Sequence, residues 1–425
     1  MSPYRLHTLP YQRDSAPLMR RLASLPGFVC LDSGLGDSHH GRYDILSALP
    51  ETTLHTPPGG SPRETFARID ALLSAHRPAS PPQALAALPF SGGAIGYLGY
   101  DGACHTGIYS WALVVDHQLQ QSHLLALPQC PDSCWNTVLD ALAAPVPAYP
   151  AFTLTRPFAA NFTYAEYASA FARIQDYIHA GDCYQVNLAQ RFAARFGGDP
   201  FAAWLNLRRS IHSPFAAFMR TDEQTLLSFS PERFLRVHDG QVLTQPIKGT
   251  RRRSDDAEED RRLAKALLAS PKDRAENLMI VDLLRNDLGT LCRTGSVKVE
   301  QLFELQSFSN VHHLVSTISA RLDTAHSALT LLGNCFPGGS ITGAPKKRAM
   351  EIIAELEPDS RQAYCGSFFH AGFDGNLDSS ILIRSLLCSG EEIFCWGGGG
   401  IVADSDCAQE YQECYDKINN IINSL

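Results

Sequence analysis

The sequence predicts an α+β fold, and three observations carry that reading. Short strand-like runs and helix-like runs mix in the first third without the strict β-α alternation of a parallel sheet. Further on, a capped helix leads directly into an alternating strand. A later segment reads as a hairpin with an Asp-Gly turn. At 425 residues the chain is long enough for one large domain or two lobes with a substantial core.

Taken in order, FVCLDSG, GAIGYLGY and WALVVD read as strands and RETFARIDALLSAH as a helix. The stretch from Pro131 to Pro157 holds PVPAYPAF, and such proline density favours connecting chain. A lobe boundary is therefore expected near residue 155, giving lobes 1–155 and 156–425. Thr163 and Glu166 form a capping box for a helix with Tyr167, Phe171, Ile174 and Ile178 on one face and Gly181 as its stop. In CYQVNLAQRF, Tyr184, Val186 and Leu188 share one face of a strand, so Gln185 points to the other.

The segment Leu226 to Gly249 reads as two strands joined at Asp239-Gly240. A three-residue loop pairs residues whose numbers sum to about 480, placing Glu232 across from Lys248 on one face, while a two-residue turn puts them on opposite faces. The first register sets a carboxylate beside an amine, either as a cross-strand ion pair or as an acid and a nucleophile. Asp273 to Gly289 is apolar around most of its circumference and is expected to be a largely buried helix. In the last helix Tyr411, Tyr415, Ile418 and Ile422 form the apolar stripe, and Glu410, Glu413 and Lys417 gather opposite, by periodicity alone a solvated face. Four glycines, Gly397 to Gly400, separate two strand-like runs and leave main-chain N–H groups open to a carboxylate or phosphate, although a tight bend would use the same residues.

Composition narrows the function classes. The net charge is −8 with no long charged block, which argues against a nucleic-acid surface. The first residues lack a secretory signal and no 18-residue apolar run occurs, so a cytoplasmic chain with no membrane span is expected. The 12 cysteines are scattered, and Cys130 with Cys134 lacks a second pair at zinc-ligand spacing, so free thiols in a reducing compartment are expected. No Walker A motif or strand-to-helix G-x-G-x-x-G is present.

The order of motifs resembles the chorismate-utilising enzyme family, from about Asn161 to Ile418. The resemblance rests on CYQVNLAQRF, SPERF, PIKGTRRR, AENLMIVDLLRNDLG, VHHLVS, FPGGSITGAPK, LDSSILIRS and GGGGIVADS. LDSG and GRYDILSALP carry a weaker match earlier in the chain. The resemblance implies a two-lobed sandwich of antiparallel sheets with outer helices, like that of anthranilate synthase component I. It implies chorismate as substrate and Mg²⁺ as cofactor, a hard cation suited to oxygen ligands. Glu276 and Glu413 correspond to metal ligands, with Glu410 holding metal waters, which overturns the solvated-face reading. By the same resemblance Gly398, Gly399 and Gly400 cradle the ring carboxylate, Arg384 pairs with the enolpyruvyl carboxylate, Gly249, Thr250 and Lys417 lie on the substrate, and His313 stands beside the leaving oxygen. A lone histidine would otherwise read as a satisfied core residue.

Two positions discriminate within the family. Relatives that use water as nucleophile resemble one another in having a lysine base where this chain has Gln185, and glutamine cannot act as that base. Anthranilate synthases resemble this chain at Gln185 but carry alanine where it has Lys248; PIKGT is similar to the aminodeoxychorismate synthases. In the mechanism this implies, the Lys248 amine attacks carbon 2, the hydroxyl leaves carbon 4 with a proton from Glu232, and ammonia adds at carbon 4 and expels the lysine. The chain has no G-x-C-x-G elbow, so a separate glutamine amidotransferase subunit is expected to supply ammonia. Some relatives bind tryptophan at the strand corresponding to Leu31–Ser33. Where relatives have a Gly-Tyr that contacts the substrate, this chain has Phe369-His370, so His370 is expected to provide a hydrogen bond or charge there. Anthranilate synthesis and a non-catalytic chorismate or tryptophan binder are the competing readings.

Overall fold

A computed structural model describes residues 4–34, 41–78, 88–308 and 311–425. Among these, ten α-helices cover two antiparallel sheets of 12 and ten strands. The first sheet runs Arg5–Leu9, Gln121–Ala126, Trp111–Asp116, Tyr43–Ser47, Val29–Asp32, Phe215–Arg220, Gln224–Ser230, Ser385–Ser389, Glu392–Ile401, Gln185–Gly197 and Gly343–Ala344, with Thr153–Ala160 also paired to Gln185–Gly197. The second runs Ile247–Arg252, Val311–Arg321, Gln241–Thr244, Arg233–His238, Leu377–Ile381, Ser367–Gly372, Gly93–Leu98, Cys104–Tyr109 and Thr52–Thr56, with Lys298–Ser307 also on Val311–Arg321. Strands from either side of residue 155 thus share both sheets. The fold is α+β, and one continuous core fills the space between the sheets.

Local chemistry explains the pieces that position the site. Thr163 and Glu166 make the reciprocal capping box, and the helix Tyr164–His179 follows. With the helices Lys346–Leu356 and Cys407–Ile422 it packs on the end of the first sheet through Tyr167, Val186, Leu188, Ile352 and Cys414. Tyr184 lies outside the strand and is 71% exposed, so it is not part of the buried stripe. The backbone there is held by Ala344, whose carbonyl accepts from the Tyr184 N–H at 2.8 Å, and the side chain is left in solvent.

The hairpin register differs from the 480 sum. Asp239 and Gly240 both have positive φ, 48° and 72°, and form a two-residue turn that pairs His238 with Gln241 and Val237 with Val242. Such a turn matches the twist of its strands. Pairing stops after Thr244, and Pro246, with no N–H to offer a ladder, lies between it and the next strand. Lys248 therefore sits on a separate strand, Ile247–Arg252, opposite Leu314 rather than opposite Glu232.

Three more expectations are revised. The helix Pro271–Gly289 buries one face only, through Asn277, Ile280, Val281, Leu284, Asp287 and Leu288, while Leu278 is exposed. The last helix buries Glu410, Cys414, Ile418 and Ile421, and Tyr411 and Tyr415 are only half-buried. The four glycines lie inside one strand, Glu392–Ile401, rather than between two. A Cβ at Gly397 would stand 2.1 Å from the Cys414 carbonyl oxygen, so the run lets the last helix press directly onto the sheet.

Candidate active site

Glu232 and Lys248 meet despite the altered register. Glu232 lies just before Arg233–His238, and its main chain is fixed where the Ile381 N–H donates to its carbonyl. Its buried carboxylate accepts from the Ile247 N–H and the Ser340 side chain, and it feels the charge of Lys248. Lys248 Nζ in turn donates to the Ser340 carbonyl at 3.1 Å. Acid and amine thus converge on Ser340 in the FPGGSITGAPK segment. The ladder shifts register between Lys248 and Thr250, and Gly249 takes φ +78°, where a Cβ would come within 2.7 Å of Leu267. This bulge sets the direction of Lys248.

Electrostatics assigns the protons. Burial raises the pKa of Glu232 and outweighs the lowering by Lys248, so this carboxyl holds a proton more readily than a free glutamate. His313 is pushed down to about 4, by burial first and then by Arg384, so it is neutral at physiological pH. Its Nδ1 lies 2.9 Å from the Thr250 hydroxyl, its cross-strand partner.

The carboxylates gather beside this pair. Lys248 also lowers the pKa values of Glu276 and Glu413, which places all three in one neighbourhood. Lys417 bridges Glu413 at 2.6 Å and the Gly398 carbonyl at 2.7 Å. Lys272 Nζ lies 3.3 Å from Glu410 Oε1, which also accepts from Ser405. A Cβ on Gly399 would sit 2.8 Å from Glu410 Oε2 and 3.5 Å from Glu413 Oε1, so only glycine leaves that space open.

Three groups lack partners. Glu276 makes no hydrogen bond to a described residue, and burial raises its pKa although Lys248 and Lys272 oppose the shift. Arg384, at φ +52°, meets no described carboxylate, and burial lowers its pKa. Gln185 is fully buried with both side-chain amide atoms unpartnered, against Gly400, whose added Cβ would lie 2.6 Å from its Nε2. Buried polar groups without partners are costly, and these suit a ligand that brings carboxylates and a cation. The fit for Mg²⁺ is good: Glu276, Glu413 and Glu410 are oxygen donors, and Glu276 still needs a positive charge.

His370 does not join this cluster. It lines a cavity of about 560 Å³ between the sheets, together with Leu31, Ser33, Phe215, Arg233 and Arg236. Residues 368 and 370 of the strand face that cavity, because the pleat carries them to the side away from Phe369. The sequence reading missed Ser340, Lys272 and the Ile247 N–H. Ser340 was legible as a polar residue inside the glycine-rich segment; the other two depend on tertiary placement.

A family model described as chorismate binding enzyme matches residues 37–423. The chain belongs to that family. Aminodeoxychorismate synthase component 1 of Klebsiella aerogenes is 46% identical over 449 residues, spanning 98% of this chain and 98% of the relative. The protein of the same name from Escherichia coli K12 is 44% identical over 451 residues, with 98% of each covered. The structure of anthranilate synthase component I from Streptococcus pneumoniae superposes with a TM-score of 0.79 at 29% identity, over 91% of this chain and 93% of that one. The anthranilate synthase component I-like sandwich is therefore the fold of this chorismate-binding enzyme.

Proposed function

We propose that this chain aminates chorismate at carbon 4 and keeps the enolpyruvyl group, the activity of an aminodeoxychorismate synthase component 1. The observation that carries this reading is the convergence of Lys248 and a proton-holding Glu232 on Ser340, with Arg384, which meets no described carboxylate, close enough to His313 to lower its pKa. Arg384 binds the side-chain carboxylate, a planar match for its guanidinium. Gly398 to Gly400 present main chain to the ring carboxylate, and Glu276 and Glu413 hold Mg²⁺ with Glu410 behind them. The ion, when bound, neutralises the ring carboxylate and the developing charge. Lys248 attacks carbon 2 as a neutral amine, Glu232 gives its proton to the departing hydroxyl, and ammonia adds at carbon 4 and releases the lysine. Gln185 supplies no base to activate water. Burial keeps His313 neutral and the Thr250 hydroxyl hydrogen-bonds its Nδ1, leaving a neutral hydrogen-bonding group near the reacting atoms.

Ammonia comes from a glutamine amidotransferase subunit, consistent with relatives named component 1. The mass of the product made from chorismate, ammonium and Mg²⁺ tests the reading. The expected product is 4-amino-4-deoxychorismate; anthranilate, which has lost the enolpyruvyl carbons, would overturn it. Replacing Glu276 or Glu413 by Gln should shift the Mg²⁺ requirement upward by about tenfold or more.

The cavity at Leu31–Ser33 supports a second ligand. It is large enough for an amino acid of the tryptophan class and contains none of the reacting groups, which favours an effector over a substrate.

A further inference from the structure

The geometry points to a separate binding site for one divalent transition-metal ion of the zinc class, formed by His55, His105 and Glu223 and clasping the two sheets. His55 and His105 are direct partners on the neighbouring strands Thr52–Thr56 and Cys104–Tyr109 of the second sheet, with rings stacked 4.3 Å apart. Glu223 comes from the first sheet, in the turn closed by the Thr221 N–H donating to the Gln224 carbonyl at 2.9 Å. One ligand atom from each residue lies within 4.8 Å of the others, and His55 Nε2 stands 3.9 Å from Glu223 Oε2. Zinc holds such ligands at about 2.0–2.2 Å, so tetrahedral neighbours stand roughly 3.4 Å apart. Small side-chain rotations close that gap.

The arrangement has one anchored ligand and two that can swing. His105 is 7% exposed, whereas His55 and Glu223 are open to solvent. Tyr97 stacks on His105 at 5.2 Å and donates its hydroxyl to Gln224 Oε1 at 3.0 Å, tying the ring to the turn that carries Glu223. No described residue hydrogen-bonds a nitrogen of either imidazole. Burial, and then the neighbouring His55, push His105 down to about 4, which keeps it in the neutral form that a metal requires. Two imidazoles and one carboxylate suit zinc and its neighbours rather than Mg²⁺, which prefers oxygen ligands, and water completes the fourth position.

The test is a zinc titration of the full chain stripped with a chelator, with a phosphine reductant in place of thiols and excess Mg²⁺ at the carboxylates. Native protein should bind one zinc ion, with anomalous scattering locating it among the three residues. His55→Ala and Glu223→Gln, both at solvent-exposed positions, should each weaken binding by at least about tenfold. Native protein that takes up no ion overturns the proposal. So do variants that bind zinc as tightly as the native chain, which would place the ion on cysteines or on the reaction-site carboxylates.

Discussion

Around Asp32, Arg208 donates to both carboxylate oxygens at 2.9 and 3.0 Å, and nearby Asp44 accepts from Ser15, the Ser33 N–H and the Ser33 hydroxyl, with His117 Nε2 at 2.9 Å. Around Lys248, by contrast, Arg384, Glu276 and Gln185 meet no described partner. Both regions bury charge, and both would be expensive if left incomplete. The first is complete within the chain and holds strands together under the 560 Å³ cavity. The second is completed by what binds to it. Satisfaction of buried charge, rather than its mere presence, separates framework from reaction site.

The sharpest way to break that contrast is to remove the reacting amine. Lys248→Ala should lower aminodeoxychorismate formation by on the order of 10⁴-fold, about 5.5 kcal/mol in the barrier, with direct attack by ammonia as the residual route and anthranilate as a side product. Glu232→Gln combined with it should add little, because the two act in one step. Burial raises the pKa of Glu232 and so keeps it a proton donor over a wider pH range than a free glutamate, and the limb of the pH-rate profile that belongs to this acid should disappear in Glu232→Gln. Full turnover by Lys248→Ala, or additive losses in the double variant, would make the lysine a structural ion-pair partner.

The framework side breaks differently. Arg208→Ala leaves Asp32 buried without its bidentate partner, and should cost roughly 3–5 kcal/mol of stability in denaturant unfolding. Asp32 sits at about 7 even with Arg208 present, because burial and then Asp44 oppose its charge. Its folded pKa is above the unfolded value, so its contribution to stability is present at low pH and lost as pH rises through about 7. At a temperature where the variant is folded, kcat per folded molecule should stay near native. A collapse of kcat without loss of stability would place this network in the chemistry.

How these regions could be read from sequence follows the same division. The capping box at Thr163 and the place of the Asp239-Gly240 turn are local chemistry, the first legible to the residue and the second in position though not in loop length. The register beyond the turn was not, because two or three loop residues cost similar energies and the break at Pro246 sends Lys248 to another strand. Glu232 and Lys248 still meet, through Ser340 and the bulge at Gly249, which no pairing rule for a single hairpin describes. The side of the last helix bearing Glu410 and Glu413 looked solvated by periodicity; the structure buries Glu410 because four glycines admit the helix so closely. Identity of the charged residues was visible, but whether each had a partner depended on tertiary placement.

Arg384 gives the next smaller effect. If its only partner is the substrate carboxylate, Arg384→Lys keeps the charge and loses the bidentate fork, so KM for chorismate should rise by about tenfold to a hundredfold, the 1.5–3 kcal/mol of a charged hydrogen bond. Stability should change little, since no carboxylate among the described residues is orphaned. A loss of stability with unchanged KM would move Arg384 to the framework side.

The smallest effect belongs to His370, and it decides which region that strand serves. Its ring lines the cavity between the sheets, edge-on to Phe90 at 5.7 Å, with Nδ1 buried and unpartnered. Burial lowers its pKa, with Asp378 and Asp374 opposing the shift, so the ring favours its neutral form. A neutral histidine that lines a cavity whose walls include neither Lys248 nor Arg384 has no direct part in binding chorismate. His370→Tyr should therefore leave KM for chorismate and the rate without effector within about twofold of native, less than the ordinary surface substitution limit of about 0.5 kcal/mol. Tryptophan added to the native chain and to the variant should be bound with different affinities, read by calorimetry, because the added ring volume and hydroxyl fall inside the cavity. A KM shift comparable to that of Arg384→Lys, with tryptophan affinity unchanged, would instead show that this strand reports to the reaction site and that the two regions are not separate.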